Sequence, residues 1–149
     1  MKRVILFIVL FCTTMVQAND YKVVFDCSSG DAEYIKSRMW LVGKTIDMFE
    51  KDGDNVDVAL TLHGSCVAMT SMNYELLVPE KDMKNIEKAQ EYLVSLSKRK
   101  NVTVTACAMS LARSAIIKDD VLSFIHISPN SYLDTIKYQN NGYALMHFN

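Results

Sequence analysis

The chain has 149 residues, 50% of them hydrophobic, and a formal net charge of −1, a size and balance that suit one globular domain. Mild acidity of this kind gives no reason to expect binding to nucleic acid or to an anionic membrane. We therefore predict no nucleic-acid partner.

The first 18 residues have the pattern of a secretory signal peptide. Lys2 and Arg3 precede the apolar run Val4–Cys12, and the small-residue exit Val16–Ala18 follows. The run is shorter than the roughly 20 residues that cross a bilayer. We expect a periplasmic or secreted protein with no membrane span, whose single domain covers residues 19–149. Lipidation of Cys12 is the weaker alternative.

Strand and helix patterns alternate after residue 19. The apolar runs predict strands at Tyr21–Asp26, Val56–Leu62, Val102–Cys107, Ser123–Ile127 and Tyr143–Phe148. Apolar stripes predict long helices at about 32–52 and 82–99, a last helix from Ser128 and Pro129 to about 141, and short helices at 67–73, near 109–113 and at 118–122. Five strands separated by helices indicate a three-layer α/β/α fold around a mainly parallel sheet.

Three cysteines end or follow the first three predicted strands. They are Cys27, Cys66 and Cys107. Ligands and reactive groups gather beyond the carboxyl ends of parallel strands, so this pattern indicates sulfur handling or thiol redox chemistry. Packing alone is the alternative, because cysteine is often a small buried hydrophobe. Without the predicted signal peptide, which contains the fourth cysteine, Cys12, the number is odd, so at least one thiol must be free, modified or paired between chains.

Other polar residues and glycines follow the first two strands at the same edge. His63 could exchange a proton with a ligand, or could simply bind loop backbone. The loop Ser28-Ser29-Gly30 could bind a small anion through its N–H groups, whereas Asp31 after it suits a helix cap. Gly64 suits a tight turn. The loop lacks the lysine of a P-loop and the triple glycine of a dinucleotide fingerprint, so we predict no nucleotide or other cofactor. The possible metal ligands His63, Cys66 and Cys107 lie on different loops, so we predict no metal site.

Four stretches in the same order resemble the DsrE/DsrF-like family. They are Lys22–Asp31, Val58–Gly64, Val104–Leu111 and the closing Gly142-Tyr-Ala-Leu. The resemblance implies a flavodoxin-like domain that assembles into trimers or hexamers. It also implies, for the sulfur-carrying relatives, a cysteine after the third strand that holds sulfane sulfur, here Cys107. The chain departs from the family at Cys27 and Cys66, and in its secretion signal.

Three hypotheses follow for the function. The first is an envelope sulfur carrier or sulfurtransferase-like protein with a donor or acceptor protein as partner. In this hypothesis Cys107 and His63 are catalytic, and Ser28, Ser29, Gly30, Gly64 and Cys66 bind the substrate. The second is a non-enzymatic oligomeric binding protein of the same fold. The third and weakest is a redox protein that pairs Cys27 with Cys66.

Overall fold

The computed structural model describes residues 18–148 as five strands with helices around them. The strands are β1 (Asp20–Cys27), β2 (Asn55–Leu62), β3 (Val102–Cys107), β4 (His126–Ser128) and β5 (Ala144–Phe148). The α-helices are α1 (Ala32–Lys51), α2 (Glu80–Ser97), α3 (Ala108–Arg113) and α4 (Ser131–Asn140). Short 3-10 helices cover Gly64–Thr70, Tyr74–Leu76 and Lys118–Asp120.

The amino-terminal prediction falls almost wholly outside the described residues. Ala18 is the only residue of the expected signal peptide that lies within them, so the signal peptide stays a prediction. None of the helices between residues 18 and 148 has both the length and the apolar character needed to cross a membrane.

All the strands are parallel, and their order in the sheet is β4-β3-β2-β1-β5. This confirms the predicted α/β fold with its five-stranded parallel sheet. Successive strands run from β1 out to β4, and the chain then returns to place β5 on the other side of β1. The boundary between β1 and β5 is therefore the topological switch point, the usual ligand-binding position in open α/β sheets.

One face of the sheet carries the main apolar core. Helices α1 and α2 pack on each other and bury the apolar stripes that the sequence predicts, at Ile35, Met39, Val42 and Ile46 in α1 and at Ile86, Ala89, Leu93 and Leu96 in α2. Asp31 caps α1 as predicted, because its carboxylate accepts a hydrogen bond of 2.9 Å from the Tyr34 N–H.

The opposite face carries a row of polar side chains, one from each strand. Residues in register point to the same side of a parallel sheet, and successive residues alternate. The register aligns His126, Thr105, Thr61, Asp26 and His147 across all five strands. Helix α4 covers this side, since Tyr138 on α4 shares a hydrogen bond with Thr105. These polar side chains lie close to the carboxyl ends of the strands, where the candidate site lies.

The predicted boundaries of the fourth strand and the last helix are wrong. Residues 122–125 form a turn, closed by a hydrogen bond from the Ile125 N–H to the Leu122 carbonyl, and β4 begins only at His126. Ser128 is not the cap of the last helix but the end of β4, because a residue before proline favours extended backbone. The cap is Asn130, whose side chain accepts from the Tyr132 N–H.

Smaller differences concern the remaining helices. Helix α2 begins directly after Pro79, two residues before the predicted start. The helix predicted at 67–73 is a 3-10 helix that begins earlier, at Gly64. The other strands and helix α1 match the prediction to within one residue at each end. These differences leave the order of the elements unchanged.

Candidate functional site

Cys107 is the one free cysteine among the described residues. It is the last residue of β3 and the N-cap of α3, and only 5% of it is exposed. Burial by itself acts to raise the pKa of this thiol. The N–H and hydroxyl groups of Ser110 and the N–H groups of Ser131 and Met109 counter that effect, and the pKa of Cys107 is lowered overall.

Two helices supply these N–H groups. Met109 and Ser110 belong to the first turn of α3, and Ser131 is the first residue of α4. N–H groups in a first helical turn lack partners within the helix and carry partial positive charge. The resting thiol makes no capping hydrogen bond. The same groups do stabilise the thiolate, which is the nucleophilic form of cysteine.

Ser110 connects the thiol to the turn that follows β2. Its hydroxyl oxygen accepts a hydrogen bond of 2.9 Å from the Gly64 N–H, which leaves the hydroxyl hydrogen for the sulfur of Cys107. Serine has one donor and can accept at the same time. The chain Gly64–Ser110–Cys107 therefore ties the position of the nucleophile to the neighbouring strand end.

His63 lies directly after β2, beside that turn. Its Nε2 is 3.1 Å and 3.2 Å from the two carboxylate oxygens of Asp26. The hydrogen bond to Asp26 raises the pKa of His63, burial opposes this, and the negative charges of Asp26 and of a Cys107 thiolate raise it further. An imidazolium held by a carboxylate within electrostatic reach of a thiolate is suited to proton transfer.

Asp26 is the centre of a small buried network. Burial acts to raise its pKa, but hydrogen bonds from His63 and Thr61 and the charges of His63 and His147 lower it overall. The Thr61 hydroxyl donates to one carboxylate oxygen at 2.5 Å, and Nδ1 of His147 lies 3.2 Å from the other. Half of the His147 side chain is exposed. The carboxylate thus connects the buried His63 to an imidazole at the surface.

The loop after β1 lies at the switch point, but its N–H groups are already used in part. Those of Ser28 and Ser29 both donate to the Phe148 carbonyl, at 3.0 Å and 3.3 Å. The loop therefore secures the end of β5 to that of β1. The Ser29 hydroxyl accepts a further bond from the Asp31 N–H. The predicted anion-binding role of this loop is untested, and these contacts leave fewer N–H groups for it.

Gly30 and Gly64 allow the loops to pack closely at this edge. Gly64 has a φ of +54°, and a Cβ there would lie 2.9 Å from the Ser28 carbonyl oxygen. A Cβ at Gly30 would lie 3.1 Å from the Cβ of Ser65. A side chain at either position would push apart the loops that follow β1 and β2, next to Asp26 and His63, so both glycines shape the site through the backbone.

The other two cysteines form a disulfide, with Cα atoms 5.9 Å apart. Cys27 is in register with Leu62 and Phe148, and both half-cystines are fully buried in the core on the α1–α2 side. Cys107 lies two residues after Thr105 on β3, so both side chains point to the other side of the sheet. Cys66 therefore offers no thiol to a ligand, and a disulfide without solvent access suits a structural crosslink rather than redox exchange.

Sequence reasoning did not identify four contributors to this site: Ser110, Ser131, Thr61 and His147. Ser110 had a detectable signal, since it lies three residues after Cys107, the spacing of a reciprocal helix cap. His147 has no such signal, because a histidine within a strand is not distinguished in sequence from a structural one. Its contact with Asp26 depends on the pairing of β5 with β1, and that pairing is visible only in the sheet order.

The family assignment comes from comparison with known proteins. The model of the DsrE/DsrF-like family matches residues 22–148. The chain belongs to this family. The chain is similar in sequence to an uncharacterized protein of Aquifex aeolicus (strain VF5), with 32% identity over 148 residues. That match covers 99% of this chain and 64% of the relative, so the chain spans a little under two thirds of the relative's length.

A solved structure has the same DsrE-like fold. It is a protein of unknown function, MTH1491, from Methanobacterium thermoautotrophicum. The TM-score is 0.63 at 19% sequence identity, with 87% of this chain and all of the other covered. Similarity at this level shows the fold alone. Membership in the DsrE/DsrF-like family, with its relation to sulfur relay proteins, is the functional information that these comparisons provide.

Proposed function

We propose that this DsrE-like protein is a sulfur carrier of the cell envelope that holds sulfane sulfur on Cys107. The observation that supports it most directly is the environment of that thiol. Cys107 lies among N–H groups from the first turns of α3 and α4, with the Ser110 hydroxyl beside it and the pKa of the thiol lowered. A thiolate is the form that attacks sulfane sulfur.

The transfer step needs no oxidant. The Cys107 thiolate attacks the outer sulfur of a donor persulfide, R–S–SH. The S–S bond of the donor breaks, its electrons leave with the R–S sulfur, and Cys107 becomes a persulfide. His63 as imidazolium gives the departing thiolate its proton, which yields R–SH. An acceptor thiolate then attacks the outer sulfur of the Cys107 persulfide and regenerates the Cys107 thiolate.

Asp26 supports this proton transfer by holding His63. Its carboxylate contacts Nε2 of the ring, so Nδ1 is the nitrogen left to serve the reacting sulfur. The raised pKa of His63 keeps the ring protonated to higher pH than a free histidine. Because the pKa of Cys107 is lowered and that of His63 is raised, the thiolate and the imidazolium are present together over a wider pH range than with ordinary pKa values.

An envelope location is consistent with the cysteine pattern. Stable disulfides form in oxidising compartments, and the Cys27–Cys66 bond is buried in the core. Cys107 stays unpaired and nearly covered on the other side of the sheet. A carrier there would meet a small persulfide or a donor protein whose reactive sulfur reaches the 5% of Cys107 that is exposed.

An oligomeric binding role remains the second candidate because apolar side chains are exposed on α4. Tyr132 is 71% exposed, and Leu133 and Ile136 are about half exposed. Exposed apolar surface of this kind is typical of an interaction face. We propose a homo-oligomer, a trimer or hexamer, formed through this face. Sedimentation of the wild type and of Ile136→Glu tests it, and a wild-type protein that sediments as a monomer would contradict it.

Intact-mass measurement tests the carrier hypothesis. The mature protein is incubated with polysulfide, weighed, and then treated with a mild reductant. We expect a gain of one sulfur atom that the reductant removes. Cys107→Ala should show no gain, and Ser114→Ala, a serine outside the contacts of the thiol, should behave as the wild type. Wild-type protein that never gains sulfur would refute the carrier role and leave the binding role in front.

A further inference from the structure

A cleft of about 360 Å³ lies between α1 and the edge strand β5, away from Cys107. Helix α1 packs on β2 and contacts β1 through the Phe49 and Tyr21 rings, and α4 crosses to β5 on the other face of the sheet. The α1 side of β5 is therefore left without a covering helix. The cleft runs along β1 and β5 on this face of the sheet, and its volume is within the range of small-molecule sites.

The walls of the cleft are mainly apolar. Alternate residues of the two strands, Phe25 on β1 and Met146 and Phe148 on β5, point into it, and Tyr21 and Phe49 close one end with their rings 4.7 Å apart. Met146 is 51% exposed although it is in register with the buried Phe25. Apolar surface that remains open inside a concave site is suited to an apolar ligand.

Two cations line this apolar cleft, Lys22 and Arg38, but the ammonium of Lys22 lies 5.8 Å from the centre of the Tyr143 ring, outside the lining. The guanidinium of Arg38, on α1, lies 4.7 Å above the ring of Tyr34. Its Nε is buried, and within residues 18–148 no hydrogen-bond acceptor reaches that atom. Native structures rarely leave a buried donor unsatisfied, because the lost hydration is not repaid. A ligand could therefore supply the hydrogen-bond acceptor that Nε of Arg38 lacks.

We propose that this cleft binds an amphipathic carboxylate, with the apolar chain along Phe25, Met146 and Phe148 and the carboxylate on Arg38. A guanidinium binds a carboxylate through two parallel hydrogen bonds, whereas the ammonium of lysine acts as a point charge. The ring of Tyr34 contacts the guanidinium and stabilises its charge within the cleft. Binding here does not depend on the proposed sulfur chemistry, although His147 lines this cleft and also contacts Asp26.

Titration of the mature protein with decanoate, followed by calorimetry, tests the proposal. We expect saturable binding to one site, and at least tenfold weaker binding of the neutral analogue 1-decanol. Arg38→Met keeps the aliphatic stem without the charge and should weaken decanoate binding at least tenfold. Arg113→Met, an exposed arginine elsewhere, should leave it unchanged. Circular dichroism establishes that each variant is folded.

Methyl NMR locates the ligand independently of the variants. The methyl signal of Met146 should shift on titration with decanoate, and that of Met72, exposed outside the cleft, should not. The proposal is wrong if wild-type protein binds no decanoate, if 1-decanol binds as tightly, or if Arg38→Met binds normally. It is also wrong if Met146→Glu dissociates an oligomer, because a second copy of the chain would then fill the cleft.

Discussion

Reduction of the Cys27–Cys66 disulfide should cost this protein a large part of its stability. The bond joins the end of β1 to the 3-10 helix after β2, and it closes a loop with a sequence separation of 39 residues. Crosslinks stabilise mainly because they limit the conformations of the unfolded chain. For a loop of this length the chain-entropy relation gives about 4 kcal/mol at 25 °C.

That loss is substantial beside the roughly 5–15 kcal/mol that separates folded from unfolded states in ordinary domains. The reduced protein should still fold, with a melting temperature lower by about 15 °C. Its site should also loosen, because the His63 N–H donates to the Cys27 carbonyl at 2.9 Å. Release of Cys27 therefore weakens one of the contacts that position His63.

Urea unfolding measured by circular dichroism, with and without dithiothreitol present throughout, gives the difference directly. Cys107→Ser retains the disulfide and should show the same loss of about 4 kcal/mol on reduction. Cys27→Ala with Cys66→Ala should show no effect of dithiothreitol. A difference between oxidised and reduced wild type below about 1 kcal/mol would refute the reasoning, since the unfolded chain would then gain little freedom.

Three further results are expected. Gly64→Ala should cost about 2 kcal/mol or more in urea unfolding, and Gly53→Ala less, because both have positive φ but only the first meets a backbone oxygen. The free energy of unfolding of the wild type should fall as pH rises from below 6.5 through the raised pKa of His63, because the charged ring loses its proton there. In His63→Gln the free energy of unfolding should change less with pH over that interval. Ser110→Ala should move the pH midpoint of Cys107 alkylation by iodoacetamide upward, and an unchanged midpoint would contradict the role given to that hydroxyl.

The fold was predictable because local patterns dominate it. The apolar stripe of α1 and the alternation of strand and helix specify the elements, and the buried runs specify parallel strands. The pattern failed at β4, which has only three residues and lies at the edge of the sheet. Such a strand has too few side chains to show a period, so the turn at 122–125 and Pro129 decide where it begins and ends.

The site was only partly predictable, for a different reason. The sequence indicates that Cys107 and His63 follow neighbouring strands, and so predicts their common edge. It does not indicate which side of the sheet each cysteine faces, and the side determines which two cysteines form the disulfide. The contacts of Asp26 with His147 and of Cys107 with Ser131 join segments that are far apart in sequence. Contacts of this kind depend on strand order and on the path of α4.

The separation of the disulfide from Cys107 by the sheet has a consequence for how the chain must be oxidised. In the unfolded chain Cys66 can close a loop of about 40 residues with either neighbour, and loops of equal length cost nearly equal entropy. Chain statistics therefore do not favour the native bond over a Cys66–Cys107 bond. The native bond is therefore selected by folding, because only the assembled sheet places Cys27 and Cys66 together and Cys107 on the other side. A chain oxidised before its sheet forms would need a disulfide isomerase to recover Cys107 as a free thiol.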